Sequence, residues 1–230
     1  MMPSMDAIER PKSLTSIVLE RLRTGIIEGT IELGSLLSEK QMAESFGTSK
    51  TPVREAFAHL QSLGLMEVLP QKGGIVFRPS LEQVRDLCEV RLELEVSGLR
   101  HSIERNRAAL SERLSDIVHK MTGVHDVANP LAYQRLDNEF HYSFFDYCGN
   151  TLLADAYDLF YPRICALRTH LSSPQPQLLS RSLEEHKMMQ RLVKKGDLGR
   201  AILLLKAHIT RTRDCHSRIL NDAQVAASTT

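Results

Sequence analysis

Nowhere in the 230 residues is there a run of the ~18 to 20 uninterrupted apolar residues that a membrane span requires. No transmembrane helix is expected. The opening MMPSMDAIERPKS has no apolar h-region, so neither a signal peptide nor an anchor is expected, and the expected location is cytoplasmic. The four cysteines, Cys88, Cys148, Cys165 and Cys215, form no CxxC pair. That argues against a four-cysteine zinc site and a disulfide framework, and leaves buried thiols as the expectation. Charge of one sign is also missing: 29 basic against 28 acidic residues give a net charge of +1, which on its own argues against a broad electrostatic footprint for nucleic acid. The same balance holds on both sides of residue 80, with nine basic and nine acidic residues before it and twenty and nineteen after it. No internal repeat or low-complexity tract is present. What remains is ordinary globular composition, 42% hydrophobic and 25% charged, in a length that suits one large domain or two modest ones.

Seven of the twelve glycines fall in the first eighty residues, so the segments there must be short. After Pro79-Ser80 the pattern changes to long amphipathic helices, which places a domain boundary there. Leu14, Val18, Leu22 and Ile26 recur at helical spacing and predict a helix ending near Gly29. Ser38, with Gln41 three residues on, caps a short helix that buries Met42, Ala43 and Phe46. Gly47 supplies a turn, and Thr48 or Ser49 caps a third helix with Pro52 in its first turn. That helix runs to about Leu63, where Gly64 can take a left-handed cap. A hairpin follows, Met66 to Leu69 and Gly74 to Phe77, turning through Pro70-Gln71-Lys72-Gly73. Beyond residue 80 helices are predicted at about 81–105, 108–122, 130–148, 151–171 with a kink at Pro162, 177–195 and 198–220. The predicted organisation is a frayed N-terminus at 1–10, a winged helix-turn-helix at 11–79, an all-helical antiparallel bundle at 80–220 and a frayed tail at 221–230. The fold class is mainly α.

Helix-turn-helix geometry puts the N-terminal end of the second helix of the motif into the major groove. On the helix beginning near Lys50, Val53, Ala56 and Leu60 share one side, and Lys50, Thr51 and Arg54 share the adjoining one. An arginine fork can pair with guanine O6 and N7, while lysine and hydroxyl groups engage phosphates. A plain solvated face would carry the same residue types. The run LGSLLSEKQMAESFGTSKTPVREAFAHLQSLGLMEVLPQKGGIVF closely resembles the N-terminal domain of GntR-family transcriptional regulators. The resemblance implies binding to double-stranded operator DNA as a homodimer, with Arg54 and Lys50 near base edges and Lys40, Ser49 and Thr51 among the contacts around them. Gln71, Lys72 and Gly73 would lie near the minor groove. Lys40 and Lys50 stand where such regulators often carry arginine, and lysine lacks the bidentate fork. The adjacent Gly73-Gly74 replaces a more usual spaced pair.

Asp137 and His141 lie four apart on one helix face with Phe144 and Cys148. His186 aligns with Leu179, Leu183 and Val193, and His208 with Ala201, Leu205 and Thr212. Singly, each histidine is most simply a hydrogen-bonded core residue. Together they would bring three imidazoles and a carboxylate into apolar surroundings, a donor set that suits Zn, Ni, Mn or Fe. "D-N-E-F-H", "E-E-H" and "A-x-x-x-L-x-x-H-I" resemble elements of the FCD domain, the helical effector-binding domain of one GntR subfamily. In its metal-containing members the corresponding aspartate and histidines are the ligands, which implies Asp137, His141, His186 and His208 here. One carboxylate beside a divalent ion leaves the site near +1, so a small carboxylate such as a sugar acid or hydroxy acid is the expected effector. Arg91 could face it, or could form an intrahelical ion pair with Glu95. The other histidines, His170 and His216 among them, carry no functional reading. The expected function is a ligand-responsive regulator, a repressor released by effector. A metal-sensing regulator and a metal-dependent hydrolase are the alternatives.

Overall fold

The computed structural model of the chain describes residues 12–126 and 128–228, so the frayed segment expected at 1–10 lies outside the described residues. The first helix, α1 (Leu14–Ile27), begins at Ser13, whose hydroxyl accepts from the Ser16 N–H. It buries Val18, Leu22 and Ile26, while Leu14 on the same stripe is left exposed in the first turn. Helix α2 (Glu39–Phe46) starts at the Ser38 cap and stops at Gly47, whose φ of +62° makes the sharp turn toward α3 (Lys50–Ser62). Val53, Ala56, Phe57 and Leu60 turn one side of α3 into the core, and α3 packs across α1. Ser49 caps α3 by position but makes no side-chain cap bond.

The hairpin of strands β2 (Met66–Leu69) and β3 (Gly73–Val76) forms as the spacing predicts. A two-residue strand, β1 (Leu36–Leu37), adds to the free edge of β3 and gives the sheet order β1-β3-β2. Two residues are too few to show alternation in a sequence. The new strand also explains the first of the paired glycines. A Cβ on Gly73 would sit 2.1 Å from the Leu37 carbonyl oxygen, and one on Gly74 would sit 2.3 Å from the Met66 sulfur. The Gly73 approach is to backbone, at a φ of +106°, and demands glycine; the neighbour of Gly74 is the Met66 side chain of β2.

Helix α4 (Leu81–Asp126) is one element by hydrogen bonding, broken at Asn106, where φ −136° and ψ 35° leave the helical region. The two helices predicted here therefore meet at a kink with no loop between them. Around the break, Asn106 Nδ2 donates to the Tyr147 carbonyl at 2.7 Å, and Arg105 donates to the Cys148 and Gly149 carbonyls. These bonds fix the turn after α5 (Pro130–Asp146). Pro162 ends one helix and begins another: α6 (Thr151–Asp158) stops short of it, and α7 (Tyr161–Leu167) carries it in the first turn, where its missing N–H costs nothing. A π-turn over Arg168–Ser172 follows, closed by the Ser173 N–H on the Arg168 carbonyl. Helix α8 (Pro176–Lys195) ends at Gly196, with φ +72°. Helix α9 (Leu198–Ser228) continues through residues expected to fray.

Two apolar clusters result. Helices α4, α5, α8 and α9 contribute most of the larger one, with Leu99, Leu110, Phe140, Phe144, Val193 and Leu205 fully buried. Val18, Leu22, Val53, Phe57, Leu60 and Val76 form the smaller one, and Ala166 of α7 reaches across to join it. Cys88, Cys148 and Cys165 are buried as expected; Cys215 is only half-buried.

Candidate functional site

On the N-terminal side, the first turns of α2 and α3 and the hairpin tip enclose an open groove of about 530 Å³, lined in part by Lys40, Lys50, Arg54, Gln71, Lys72 and Gly73. Ser49 and Thr51 are exposed beside it but do not line it. Gln71 sits at the tip with φ +63°, an uncommon backbone state for a residue with a side chain. The Gln61 side chain accepts from the Val68 N–H at 2.8 Å and ties α3 to the hairpin. Arg54 is not a free cation: its guanidinium closes on the Glu39 carboxylate, with Nη2 at 2.9 Å. The bond and the opposite charge hold Glu39 below the usual carboxylate range and raise Arg54. No local spacing signal joins residues fifteen apart, so the sequence reading missed Glu39.

Within the helical part, α5, α8 and α9 bring His141, His186 and His208 together, each offering a nitrogen within 4.8 Å of the other two. All three are buried. Two rings are oriented by carboxylates behind them: His141 Nδ1 lies 2.7 Å from Glu95 Oε2, and His208 Nδ1 lies 2.7 Å from Glu185 Oε2. Each carboxylate holds the proton on Nδ1 and leaves Nε2 as the lone-pair nitrogen. His141 Nε2 and His186 Nε2 are 3.3 Å apart. Burial lowers the His141 imidazole to about 4 and pushes His186 well below its ordinary value, so both are neutral near pH 7.

Asp137 lies beside this group, with Oδ1 3.5 Å from His186 Nε2, but its Oδ2 is taken at 2.8 Å by Arg168 Nη1. Burial would raise this carboxyl; Arg168 together with the neighbouring histidines outweighs it and holds the group ionised. Arg91 is neither a surface residue nor a simple intrahelical pair. It is 2% exposed, donates from Nε to Glu95 Oε1 at 2.7 Å and places Nη2 3.2 Å from His141 Nε2. Tyr157 donates to the same Glu95 oxygen at 2.8 Å. Burial raises Glu95, but Arg91 and His141 pull it well below the usual range. Arg211 and His208 likewise outweigh burial at Glu185 and bring it to about 2. His216, given no role from sequence, is buried, bonds Ser172 Oγ at 2.8 Å and is lowered by burial to about 3.

The donor set fits a divalent transition ion: three buried imidazoles, two of them oriented by carboxylates so that Nε2 faces the group, and an adjacent carboxylate. The buried charges differ from the sequence reading. Arg91 and Arg168 cancel Glu95 and Asp137, so a divalent ion would leave the centre near +2, a stronger demand for an anion than the expected +1. The cavity beside Asp137, Arg168 and His208 holds only about 10 Å³. The sequence reading passed over Arg168, Glu95 as an imidazole partner, and Glu185. Arg168 carries the signal used for the histidines, a polar residue after the apolar run Ile164-Cys165-Ala166-Leu167.

Residues 14–76 match the bacterial regulatory proteins of the gntR family, and residues 86–211 match the FCD domain. The chain belongs to the GntR family and carries an FCD domain. It is therefore a transcriptional regulator in a non-enzyme class, and the hydrolase alternative falls. It is 25% identical over 208 residues to the uncharacterized HTH-type transcriptional regulator BphR of Paraburkholderia xenovorans, covering 88% of this chain and 84% of BphR. Over 104 residues it is 33% identical to the gluconate operon transcriptional repressor of Bacillus subtilis, covering 45% of this chain and 42% of the repressor. The solved structure of Escherichia coli McbR/YncC shares its fold with a TM-score of 0.79 at 20% identity, over 91% of this chain and all of that one. No described helix is long and apolar enough to cross a membrane.

Proposed function

We propose that this GntR-family regulator is a homodimeric repressor whose operator affinity is set by a small carboxylate bound at a divalent metal in the FCD domain. The convergence of three buried histidine nitrogens beside Asp137 carries the reading. Asp137, His141, His186 and His208 would hold the ion, which when bound supplies a Lewis-acid centre with a coordination position that an anionic ligand could take once the cavity opens. Glu95 and Glu185 orient the rings, and Arg91 and Arg168 add positive charge that favours an anion. A sugar acid fits this chemistry, and one relative is named for a gluconate operon. In the DNA-binding part, Arg54 and Lys50 would face base edges, Lys40, Ser49 and Thr51 phosphates, and Gln71, Lys72 and Gly73 the minor groove. A metal-sensing regulator is the second reading, because a cavity of about 10 Å³ holds an ion or about one water but no carboxylate until it opens.

Elemental and native mass analysis of purified protein is expected to show one divalent ion per chain and a dimer. His186→Ala should lower the metal content, and full retention would break the four-ligand assignment. Titrating gluconate and other small hydroxy acids against a DNA complex separates the two readings: DNA release by a carboxylate supports the first, and release by metal alone supports the second.

A further inference from the structure

One twelve-residue segment, 161–172, touches both apolar clusters and the cavity beside Asp137 and His208 at once. On its inner side, Arg168 is 3% exposed and borders the cavity; Asp137 is its ion-pair partner, and none of its three guanidinium nitrogens makes a well-aligned hydrogen bond among the described residues. On its outer side, His170 Nε2 donates to the Ile26 carbonyl, the last turn of α1, at 2.8 Å. Thr169 and His170 also pack on Gly29 just beyond that turn. One turn earlier, Ala166 is fully buried in the cluster of α1 and α3, and the Arg163 side chain lies over Gly64 at the end of α3. Residues two apart on a helical turn face opposite ways, so Arg168 and His170 read opposite sides of one short backbone.

We infer that the Asp137–Arg168 ion pair is a latch, and that α7 with its π-turn carries the state of that latch to the ends of α1 and α3. A cation drawn onto the Asp137 carboxylate competes with Arg168 for its charge, and an anion that takes the Arg168 guanidinium competes with Asp137, so both act on the same contact. Arg168 then moves with the π-turn, and His170, Ala166 and Arg163 move with it against the DNA-binding part. Isolated π-turns of this kind recur at functional sites. Arg168 is thus a positioning residue. The inference rests on the cavity being the ligand site.

Hydrogen exchange of the full chain, read before and after Zn²⁺ is added to chelated protein, tests the latch. In the wild type, Zn²⁺ is expected to change exchange by about fivefold or more at residues 27–31 and 63–65. Arg168→Gln, which removes the charge, should show that change without Zn²⁺; if it fails to fold, Asp137→Asn breaks the same pair in the metal-free arm. His170→Ala should bind Zn²⁺ as tightly as the wild type while exchange at 27–31 no longer responds. Bound Zn²⁺ with unchanged exchange at both ends overturns the latch, as does a folded Arg168→Gln protein exchanging like the wild type. If Zn²⁺ does not bind at all, the metal reading fails, and the metal-free variants still decide the latch.

Discussion

Arg54 is exposed and yet engaged, because Glu39 accepts from its guanidinium across the turn between α2 and α3. DNA must therefore displace a carboxylate to recruit the residue expected to read bases. Arg54→Ala should weaken binding to a duplex selected by the wild type by about 1 to 3 kcal/mol and relax one base position. Anisotropy titration reads this, and unchanged binding would remove Arg54 from the interface. His216 offers a test by pH. Its folded pKa of about 3 lies below the ordinary 6.5, so at acid pH the unfolded chain binds the extra proton. Its contribution is full above about 6.5, declines as pH falls, and reaches its minimum near 3, with a slope of up to about 1.4 kcal/mol per pH unit. His216→Asn should flatten denaturation midpoints over that window; an unchanged pH profile would refute the assignment. The three histidines and Asp137 were legible in the sequence because each sits on an apolar stripe. Their partners were not, since Glu95 to His141 and Arg168 to Asp137 are pairings across helices that no single-helix pattern records.

At the level of elements, composition and periodicity reach as far as local hydrogen bonding does. Caps at Ser13 and Ser38, the turn at Gly47 and the stop at Gly196 are local, and the predicted helices start and end near them. Strand β1 exists only through pairing with β3, and the π-turn only through its place between two cores, so neither has a signature of its own. The winged hairpin depends on that unseen strand. Gly73→Ala puts a methyl group 2.1 Å from the Leu37 oxygen at a backbone φ of +106°, so β1 must leave β3 or the tip must unwind. The expected result is a destabilisation of about 1 to 3 kcal/mol and weaker DNA binding, with the helical part retaining its melting transition. A variant that melts and binds like the wild type would show that β1 plays no part in holding the wing.

For the whole molecule, a net charge of +1 leaves DNA affinity to a few directed groups. Lys40, Lys50, Arg54 and Lys72 on each of two heads make eight phosphate or base contacts at most. The logarithm of the binding constant should then fall with the logarithm of salt concentration with a slope no steeper than about −7. A steeper measured slope would point to a second basic surface. The break at Asn106 bears on the same function through leverage. From Leu81 to Arg105 the first arm of α4 is about 37 Å long, running from the DNA-binding part into the bundle. Pivoting that arm by about 5° at Asn106 would sweep its far end through about 3 Å, close to the 3.4 Å rise of one base pair. A movement of that size at the DNA-binding end of the arm would put a dimer out of step with its operator by a whole rung of the duplex.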